Sequence, residues 1–517
     1  MGAVSFENRT VGDVLREAAS RWGDRPALIS GLPNVTKRRW TFAELGRDAE
    51  EVARALLTRF RPGEHVAVWA GNEPEWILLE FGAALAGLTL VTVNPAYGAE
   101  ELAYVLHQSQ AVGVVVQAQF RSRDLVAIAT GVPGPREVIS MADWDAFLAG
   151  AVATDLPEVA PDGMAQIQFT SGTTGFTKGA MLAHRGLVAN GRLYAEAIGV
   201  GARDVWVNPM PLFHTAGCGL TTLGALQTGG TQILPPGFDA ATMLDLIAEE
   251  HGTVVLCVPT MALRMLDEQR RQPRDLSSWR LLTVGGAPVP PELIRRAEHE
   301  TGVTGLIGFG QTESSPYITH TVPGDPDPQR ITTVGRALPT IEVKIVDPAS
   351  GEPRGPGQLG EICTRSVCVM LGYFNNPDVK AVDDQGWLHT GDLGTLDTEG
   401  YLQVQGRLTD VIIRGGENVY PREIEAVLLT HPAVSDVAVA GIPDEEWGEI
   451  VAAFVIPAPG TAFDADDLIR YCREHLAGFK VPRAWYVESS FPLTASGKVQ
   501  KFVLLERAQS QTAGPAA

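Results

Sequence analysis

The residue types best suited to chemistry in this chain form a run of hydroxyl and glycine residues that includes a lysine, Thr170–Ala180. The run follows an apolar stretch predicted as a strand, Ala165–Phe169, and precedes a helix predicted to begin near His184. Glycines let backbone N–H groups approach a phosphate closely, hydroxyls add further donors, and the lysine supplies positive charge. The combination predicts a cradle for phosphate groups rather than a flexible loop.

The spacing within this run excludes the phosphate loop of the Walker type. That loop requires a second glycine at the position where this chain, counted from Gly172, has Thr177. It also requires Ser or Thr directly after its lysine, whereas Gly179 follows Lys178. The run therefore predicts nucleotide binding in another class of enzyme.

Shorter segments downstream carry further groups that suit a nucleotide. In Gly308–Glu313, a carboxylate follows a hydroxyl in a second glycine-containing loop, which suits Mg²⁺ beside a triphosphate. Trp387–Asp392 ends in an acid able to pair with ribose hydroxyls, and Gly406–Asp410 lies at the predicted domain junction. Pro492–Lys498 presents one lysine near the C-terminus. Taken alone, these segments also fit plainer interpretations as a turn, a loop aspartate or a solvated lysine.

The elements that must position these segments change in character along the chain. In the first part, short apolar strands alternate with helices, starting with a helix from Thr10 to Trp22 that Asp13 helps to cap. Such alternation implies parallel sheets covered by helices. After about residue 340, strands separated by turn signals predict a small distorted β-barrel lobe. From Val411 onward the pattern predicts a small α+β domain of the right size to move as a lid.

The predicted architecture is therefore α/β, with two domains. The N-terminal domain, residues 1–409, combines the helix-covered sheets with the barrel lobe, and the C-terminal domain covers residues 410–517. The predicted junction between the domains lies at Gly406–Asp410, and the tail after about residue 508 is predicted to be disordered. More than one core is expected because the chain has 517 residues, and a single hydrophobic core stops growing at about 250–300 residues.

Composition and charge exclude several classes of function. The chain has 41 basic and 61 acidic residues and a net charge of −20, which argues against a nucleic-acid surface. Five scattered cysteines argue against a disulfide framework or a zinc site, and each is predicted to be a buried, inert thiol. The apolar stretch Trp76–Val93, interrupted by Glu80, predicts a buried helix and a core strand rather than a membrane span. Because no secretory signal is found, a cytoplasmic location is expected.

Together and in this order, these segments resemble the adenylate-forming superfamily of acyl-CoA synthetases, peptide-synthetase adenylation domains and luciferases. The resemblance runs from about Thr10 to Arg507, nearly the whole chain. It implies that a carboxylate attacks the α-phosphorus of ATP to give acyl-AMP and pyrophosphate, and that a thiol then displaces AMP. ATP, Mg²⁺ and coenzyme A are the implied cofactors.

Carried over by motif, the resemblance assigns a role to each segment. The loop at Thr170–Ala180 would hold the β and γ phosphates, and Asp392 and Arg407 would meet the ribose. The implied catalytic residues are Lys498, Thr312, Glu313 and His214, and the implied metal ligands are Glu313 and Thr173. The implied nucleotide contacts are Thr170, Ser171, Gly172, Thr173, Thr174, Gly175, Lys178, Gly286, Ala287, Pro288, Gly310, Gln311, Thr312, Asp392 and Arg407. The implied hinge is Asp410.

The segment Arg414–Pro421 resembles that of the acyl-CoA synthetases, in which the loop after the hinge lines the pantetheine tunnel. The implied CoA contacts are Arg414, Gly415, Gly416, Glu417 and Lys480, with Arg483 and Lys501 as further candidates for its nucleotide end. The implied acyl pocket comprises Phe213, His214, Ala216, Gly217, Met261 and Gly308. Its small residues, and the lack of an acid to meet an ammonium group, favour a fatty, alicyclic or polycyclic acid over an amino acid.

Several alternatives stay open. An acyl carrier protein presents the same pantetheine arm as CoA, so an acyl-AMP ligase that loads such a carrier is a rival interpretation. A non-catalytic acyl- or nucleotide-binding protein is a remote one, because Lys498, Glu313 and Asp392 are all present. A homodimer is implied by the resemblance alone. Thr177 replaces the proline usual before the loop lysine, which predicts altered loop flexibility with activity retained.

Overall fold

The structure is a computed structural model that describes residues 8–170, 177–492 and 499–512, with side chains to residue 508. The chain divides into two compact units. The first comprises Met1–Val343, Cys363–His389 and Gly400–Leu402, and the second comprises the remainder. The domain boundary between residues 409 and 410 stays a prediction. Within the described ranges, no helix is both long and apolar enough to cross a membrane.

Strands and helices alternate through most of the first unit, and the bounds given next are those of both units. The strands are β1 Pro26–Ser30, β2 Arg38–Thr41, β3 His65–Trp69, β4 Thr89–Val93, β5 Gly113–Val116, β6 Gln119–Phe120, β7 Arg123–Asp124, β8 Glu137–Ser140, β9 Met164–Thr170, β10 Lys178–Ala183, β11 Val205–Val207, β12 Thr231–Leu234, β13 Val254–Cys257, β14 Leu281–Gly285, β15 Thr304–Gly310, β16 Tyr317–His320, β17 Arg336–Ala337, β18 Glu342–Val346, β19 Gly360–Arg365, β20 Leu388–Leu396, β21 Leu402–Arg407, β22 Ile412–Arg414, β23 Glu417–Val419, β24 Val434–Asp444, β25 Gly448–Pro457 and β26 Ala484–Val487. The α-helices are α1 Val11–Trp22, α2 Phe42–Leu57, α3 Pro74–Leu85, α4 Ala99–Ser109, α5 Leu125–Gly131, α6 Trp144–Ala149, α7 His184–Ala197, α8 Leu223–Thr228, α9 Ala240–Glu249, α10 Pro259–Arg271, α11 Pro291–Thr301, α12 Asp327–Thr332, α13 Pro421–Leu428, α14 Ala465–His475 and α15 Lys501–Thr512.

A nine-stranded sheet in the order β17-β16-β15-β14-β13-β11-β12-β1-β2 forms one layer of the first unit. Its central strands, from β15 to β1, all run parallel, and β16, β17 and β2 extend it in antiparallel fashion. The inner strands are short runs of apolar residues; in β13 and β14 every residue is buried. Such continuous burial is typical of parallel strands covered by helices on both faces, as predicted.

A six-stranded sheet in the order β10-β9-β4-β3-β5-β8 forms the second layer. It is parallel except for β10, which folds back antiparallel on β9. The apolar stretch Trp76–Val93 supplies part of this core: α3 is buried along its whole length and β4 follows it. The prediction of a buried helix and a core strand is therefore confirmed. Strand β10 was not predicted; its first three residues, Lys178–Ala180, belong to the predicted phosphate loop.

The chain passes between the two units within β18 to β21, the strands predicted to form an antiparallel lobe. In the second unit, β23, β22, β25 and β24 form an antiparallel sheet, and β26 joins β25 in parallel. Helices α13 and α14 contribute Ile424, Leu428 and Leu468 to its core, so the small α+β arrangement is as predicted. Helix α15 continues to Thr512, past the residue at which a disordered tail was predicted to begin. All five cysteines are free and buried, as predicted.

Candidate active site

Four segments that carry predicted nucleotide or acyl residues follow the carboxyl ends of neighbouring parallel strands in the nine-stranded sheet. The segments that follow β11, β13, β14 and β15 contain, in that order, Phe213 and His214, Met261, Gly286 to Pro288, and Gln311 to Glu313. Carboxyl ends of parallel strands share one edge of a sheet, and in open α/β sheets ligands bind outside that edge. The topology therefore gathers at one edge segments that are scattered along the sequence.

The turn that carries Thr312 and Glu313 is held from inside the protein. Gly310 cannot be replaced without displacing backbone, since a Cβ atom there would lie 1.9 Å from the carbonyl oxygen of Pro316. Asn190, fully buried on α7, accepts from the N–H of Tyr317 at 3.0 Å and donates to its carbonyl at 2.7 Å. Asn190 was not predicted; its only sequence signal is one amide among the apolar residues of α7.

The Glu313 carboxylate is fixed at one of its two oxygens. The hydroxyl of Tyr373 donates to Oε1 at 2.7 Å. Burial, and then the charge and hydrogen bond of Glu313, raise the pKa of Tyr373, so the phenol keeps its proton and acts as the donor. No group in the described ranges donates to Oε2 of Glu313. A half-buried carboxylate with one oxygen available fits the ligand chemistry of Mg²⁺. Tyr373 was also missed by sequence reasoning.

The described part of the phosphate loop is a β-hairpin. Thr170 at the end of β9 lies directly opposite Lys178 at the start of β10, and its hydroxyl is 3.5 Å from the Lys178 carbonyl oxygen. The Tyr104 hydroxyl donates to the carbonyl of Thr177 at 2.9 Å. The predicted contacts Ser171, Gly172, Thr173, Thr174 and Gly175 lie outside the described residues. The effect of Thr177 on loop flexibility stays a prediction.

The predicted acyl residues are grouped around a π-helix, Ala216–Thr222, which sequence reasoning did not anticipate. Thr222 donates to the carbonyl of Gly217 at 2.9 Å, so side-chain bonds support the wide turn. Ala216 and Met261 pack, half-buried, against the same buried apolar cluster. His214 is half-buried rather than part of the core, and its ring centroid lies 4.5 Å from that of Phe213. Predicted pocket residue Gly308 is buried within β15.

A chain of buried polar side chains adjoins the π-helix. Gln166 donates to Oε1 of Glu80 at 2.8 Å and accepts from Gln168 at 2.7 Å. The same Gln168 amide lies 3.3 Å from the Cys218 sulfur, which lies 3.4 Å from the carbonyl oxygen of His214. Burial raises the pKa of Glu80 to about 8, and Oε2 of Glu80 has no partner within the described ranges. At neutral pH this carboxyl is therefore mostly protonated.

In the second unit, the two residues predicted to meet the ribose contact each other. Arg407 donates through Nε to Oδ1 of Asp392 at 3.1 Å; Asp392 is buried and Arg407 is partly exposed. Burial lowers the pKa of nearby Arg422, whose guanidinium donates to the carbonyl of Val404 at 2.6 Å. Asp410, the predicted hinge, ends a short turn of 3-10 helix after β21. The predicted catalytic residue Lys498 lies outside the described residues.

The predicted CoA segment forms a tight hairpin beside a tryptophan. Gly415 and Gly416 have φ values of +59° and +88°, which explains two consecutive glycines between β22 and β23. Arg414 and Arg483 lie over the ring of Trp447, at 5.4 and 5.2 Å from its centroid. In the part of the chain that the structure describes, Nε of Arg414 and Nε1 of Trp447 are buried donors without a partner. Trp447 was not predicted. Predicted contact Glu417 is exposed at the start of β23.

The lysines predicted near CoA are engaged in ion pairs. Lys480 donates to both carboxylate oxygens of Glu423, at 2.7 and 2.6 Å. Lys501 donates to Glu425 and to the carbonyl of Val439, each at 2.8 Å. Its backbone contact gives Lys501 a structural role within the unit, whereas Lys480 has an exchangeable surface ion pair and its Nζ lies 5.7 Å from the ring centroid of Phe479.

Comparison with known proteins agrees with this geometry. Residues 15–374 match the AMP-binding enzyme family, and residues 423–498 match the AMP-binding enzyme C-terminal domain. The chain belongs to the AMP-binding enzyme family. The resemblance to the adenylate-forming superfamily is thereby confirmed.

Relatives that match nearly the whole of this AMP-binding enzyme include CoA ligases. A 3-[(3aS,4S,7aS)-7a-methyl-1,5-dioxo-octahydro-1H-inden-4-yl]propanoyl:CoA ligase of Rhodococcus jostii is 36% identical, covering 96% of this chain and 98% of the relative. The mitochondrial medium-chain acyl-CoA ligase ACSF2 of Macaca fascicularis is 34% identical, covering 97% and 87%. The Bacillus subtilis o-succinylbenzoate CoA synthetase, solved with its acyl-adenylate, superposes with a TM-score of 0.84 at 30% identity, covering 96% and 98%. The chain is an AMP-forming acyl-CoA ligase.

Proposed function

We propose that the chain activates a hydrophobic carboxylic acid with ATP and Mg²⁺ and transfers the acyl group to coenzyme A. The grouping of half-buried Phe213, Ala216 and Met261 beyond the carboxyl edge of the parallel sheet carries the substrate proposal. None of these side chains is charged, so they offer an acid's carbon chain an apolar surface. The relatives named for a bicyclic propanoate and for medium-chain acids support the same class.

In the first step, a carboxylate oxygen forms a bond to the α-phosphorus of ATP, and the bond from that phosphorus to pyrophosphate breaks. The loop ending at Lys178 would hold the departing phosphates, Thr312 the phosphate that remains, and Asp392 with Arg407 the ribose. Glu313 and Thr173 would hold Mg²⁺, which when bound offsets phosphate charge. Each such group acts by opposing negative charge that grows at phosphorus in the transition state.

In the second step, the CoA thiol releases its proton to solvent as its sulfur bonds to the acyl carbon, and AMP leaves with the electrons of the broken carbon–oxygen bond. Arg414 and Arg483, which lie over the ring of Trp447, suit the phosphates at the nucleotide end of CoA, since guanidiniums bind phosphate through charge-assisted hydrogen bonds. The lid movement about Asp410, with domains 1–409 and 410–517, would separate the two steps. An acyl carrier protein is the alternative acceptor.

The first experiment is a screen of fatty, alicyclic and polycyclic acids by pyrophosphate release. Removing one charge-stabilising contact commonly lowers kcat by about 10²–10³, so Lys498→Ala should lose acyl-AMP formation by that factor. The control is Lys380→Ala, a change at an exposed lysine outside the proposed site. Acyl-AMP formation by Lys498→Ala at the wild-type rate would refute the role of this lysine.

A second experiment separates the acceptors. ATP–pyrophosphate exchange is measured with and without CoA, and the products are identified by mass spectrometry. A CoA thioester supports the proposal; an acyl-AMP that accumulates with CoA but is consumed by a carrier protein supports the alternative. A cytoplasmic location, expected from the sequence, and a homodimer, implied by the resemblance, complete the proposal. Light scattering of the purified protein tests the homodimer.

A further inference from the structure

Tyr373 contacts both the β9–β10 hairpin, here called the phosphate hairpin, and the turn Gln311–Ser315, here called the Glu313 turn. Its backbone pairs with Ala180 of β10, and the following N–H, of Phe374, donates to the carbonyl of Gly179 at 2.8 Å. Within the same segment, the N–H of Met370 donates to the Glu313 carbonyl at 2.8 Å. The backbone around Tyr373 is therefore attached at both ends to segments of the proposed ATP site.

The side chain of Tyr373 contacts the two charged groups of that site. Its hydroxyl donates to Oε1 of Glu313 at 2.7 Å, and its ring centroid lies 5.5 Å from Nζ of Lys178. Within the described ranges, no other side chain bonds to the Glu313 carboxylate, and Lys178 has no ion pair. One aromatic residue thus supports the anion through its hydroxyl and the cation through its ring face.

We propose that Tyr373 is a positioning residue that orients the Glu313 carboxylate for Mg²⁺ through its hydroxyl and holds the Lys178 ammonium through its ring. The inference rests on the proposed role of Glu313 as a metal ligand. Because the hydrogen bond from Tyr373 fixes Oε1 of Glu313, Oε2 points in a narrower range of directions. Binding of Mg²⁺ to Oε2 then costs less side-chain conformational entropy. Partners of metal ligands commonly contribute about 10–100-fold in metal affinity.

The hydroxyl and the ring can be separated by mutation. Tyr373→Phe removes only the bond to Glu313, whereas Tyr373→Leu also removes the ring under Lys178. ATP binding without an acid substrate is followed by titration calorimetry over a series of Mg²⁺ concentrations. We expect Tyr373→Phe to need about tenfold more Mg²⁺ for the wild-type ATP affinity, and to reach that affinity at saturating Mg²⁺. Tyr373→Leu should also bind ATP about two- to fivefold more weakly at saturation.

Tyr401→Phe is the matched control, because it too removes a hydroxyl bond to a carboxylate, that of Asp325 at 2.8 Å, which has no proposed role in ATP binding. Its Mg²⁺ dependence should match the wild type. The inference is overturned if Tyr373→Phe also matches the wild type while Glu313→Gln shifts the dependence. If Glu313→Gln shifts nothing, the proposed metal role of Glu313 itself fails. Should Tyr373→Leu not fold, the Phe variant alone decides.

Discussion

The buried carboxyl of Glu80 should make the free energy of unfolding of this protein depend on pH, and the substitution Glu80→Gln should remove that dependence. This carboxyl is 3% exposed, accepts one hydrogen bond from Gln166, and has a second oxygen without a partner in the described ranges. Ionisation there would place an uncompensated charge in the interior, which is why the folded-state pKa is raised. Glu80→Gln has nearly the shape of the protonated acid and cannot ionise, so it isolates the proton's contribution.

Because the pKa of Glu80 is raised in the folded state, the wild type loses stability as the pH rises. The folded-state pKa is about 8 and the reference value is 4.5. Below the lower value Glu80 is protonated in both states and the substitution changes little. As the pH rises, folding forces a proton onto Glu80 that the unfolded chain has already released. The wild type therefore loses about 1.4 kcal/mol per pH unit relative to the variant, and about 5 kcal/mol in all once the pH exceeds the folded-state pKa.

The measurement is urea unfolding of both proteins at intervals between about pH 5 and pH 8, read as the difference in midpoint multiplied by the common slope. The control is Glu158→Gln, a substitution in an exposed loop. The difference in free energy of unfolding between this variant and the wild type should not change with pH as it does for Glu80→Gln. If the free energies of unfolding of wild type and Glu80→Gln change with pH in parallel, Glu80 is not held protonated by burial and the reasoning is wrong.

Three other substitutions test the site. Asn190→Ala leaves the N–H and carbonyl of Tyr317 unpaired in the interior. Urea unfolding should therefore show a free energy of unfolding lower by about 2–4 kcal/mol, and titration calorimetry should show weaker ATP binding. Gly310→Ala places a methyl group 1.9 Å from a backbone oxygen and should abolish pyrophosphate exchange, whereas Gly237→Ala, in open space, should not. Trp447→Ala removes the ring over which Arg414 and Arg483 lie, so it should raise KM for CoA about tenfold and leave ATP–pyrophosphate exchange unchanged; an unchanged KM would contradict the proposed role of these arginines.

Elements with strong local signals were predicted well. The predicted strand Ala165–Phe169 lies within β9, Met164–Thr170, because this compact apolar stretch ends at the hydroxyl and glycine residues that follow it. The first helix begins at Thr10 with the predicted capping box, in which the Thr10 hydroxyl accepts from Asp13 and the Asp13 carboxylate accepts from Thr10. In such cases neighbours in sequence decide the conformation, so no tertiary information is needed.

Elements that depend on distant partners were missed. Strand β10 is a strand because it pairs with β9, and nothing local distinguishes its glycine-containing start from the loop before it. The π-helix Ala216–Thr222 has no periodicity of its own to detect. Tyr373 and Asn190 each support the Glu313 turn from more than fifty residues away, as hydrogen bonds at separations of 60 and 127 residues show. A single sequence identifies reactive groups by type but not the side chains that hold them.

These supporting contacts join the segments proposed to bind Mg²⁺ and phosphate. The phosphate hairpin continues directly into α7, whose Asn190 fixes the end of the Glu313 turn, while Tyr373 joins the hairpin to the Glu313 carboxylate itself. Both links lie within the first unit. Asp392 and Arg407, which are proposed to meet the ribose, belong to the second unit and are joined by their own hydrogen bond. It follows that substitutions at Tyr373 or Asn190 should change how Mg²⁺ and ATP bind together, whereas Arg407→Ala should weaken ATP binding equally at every Mg²⁺ concentration.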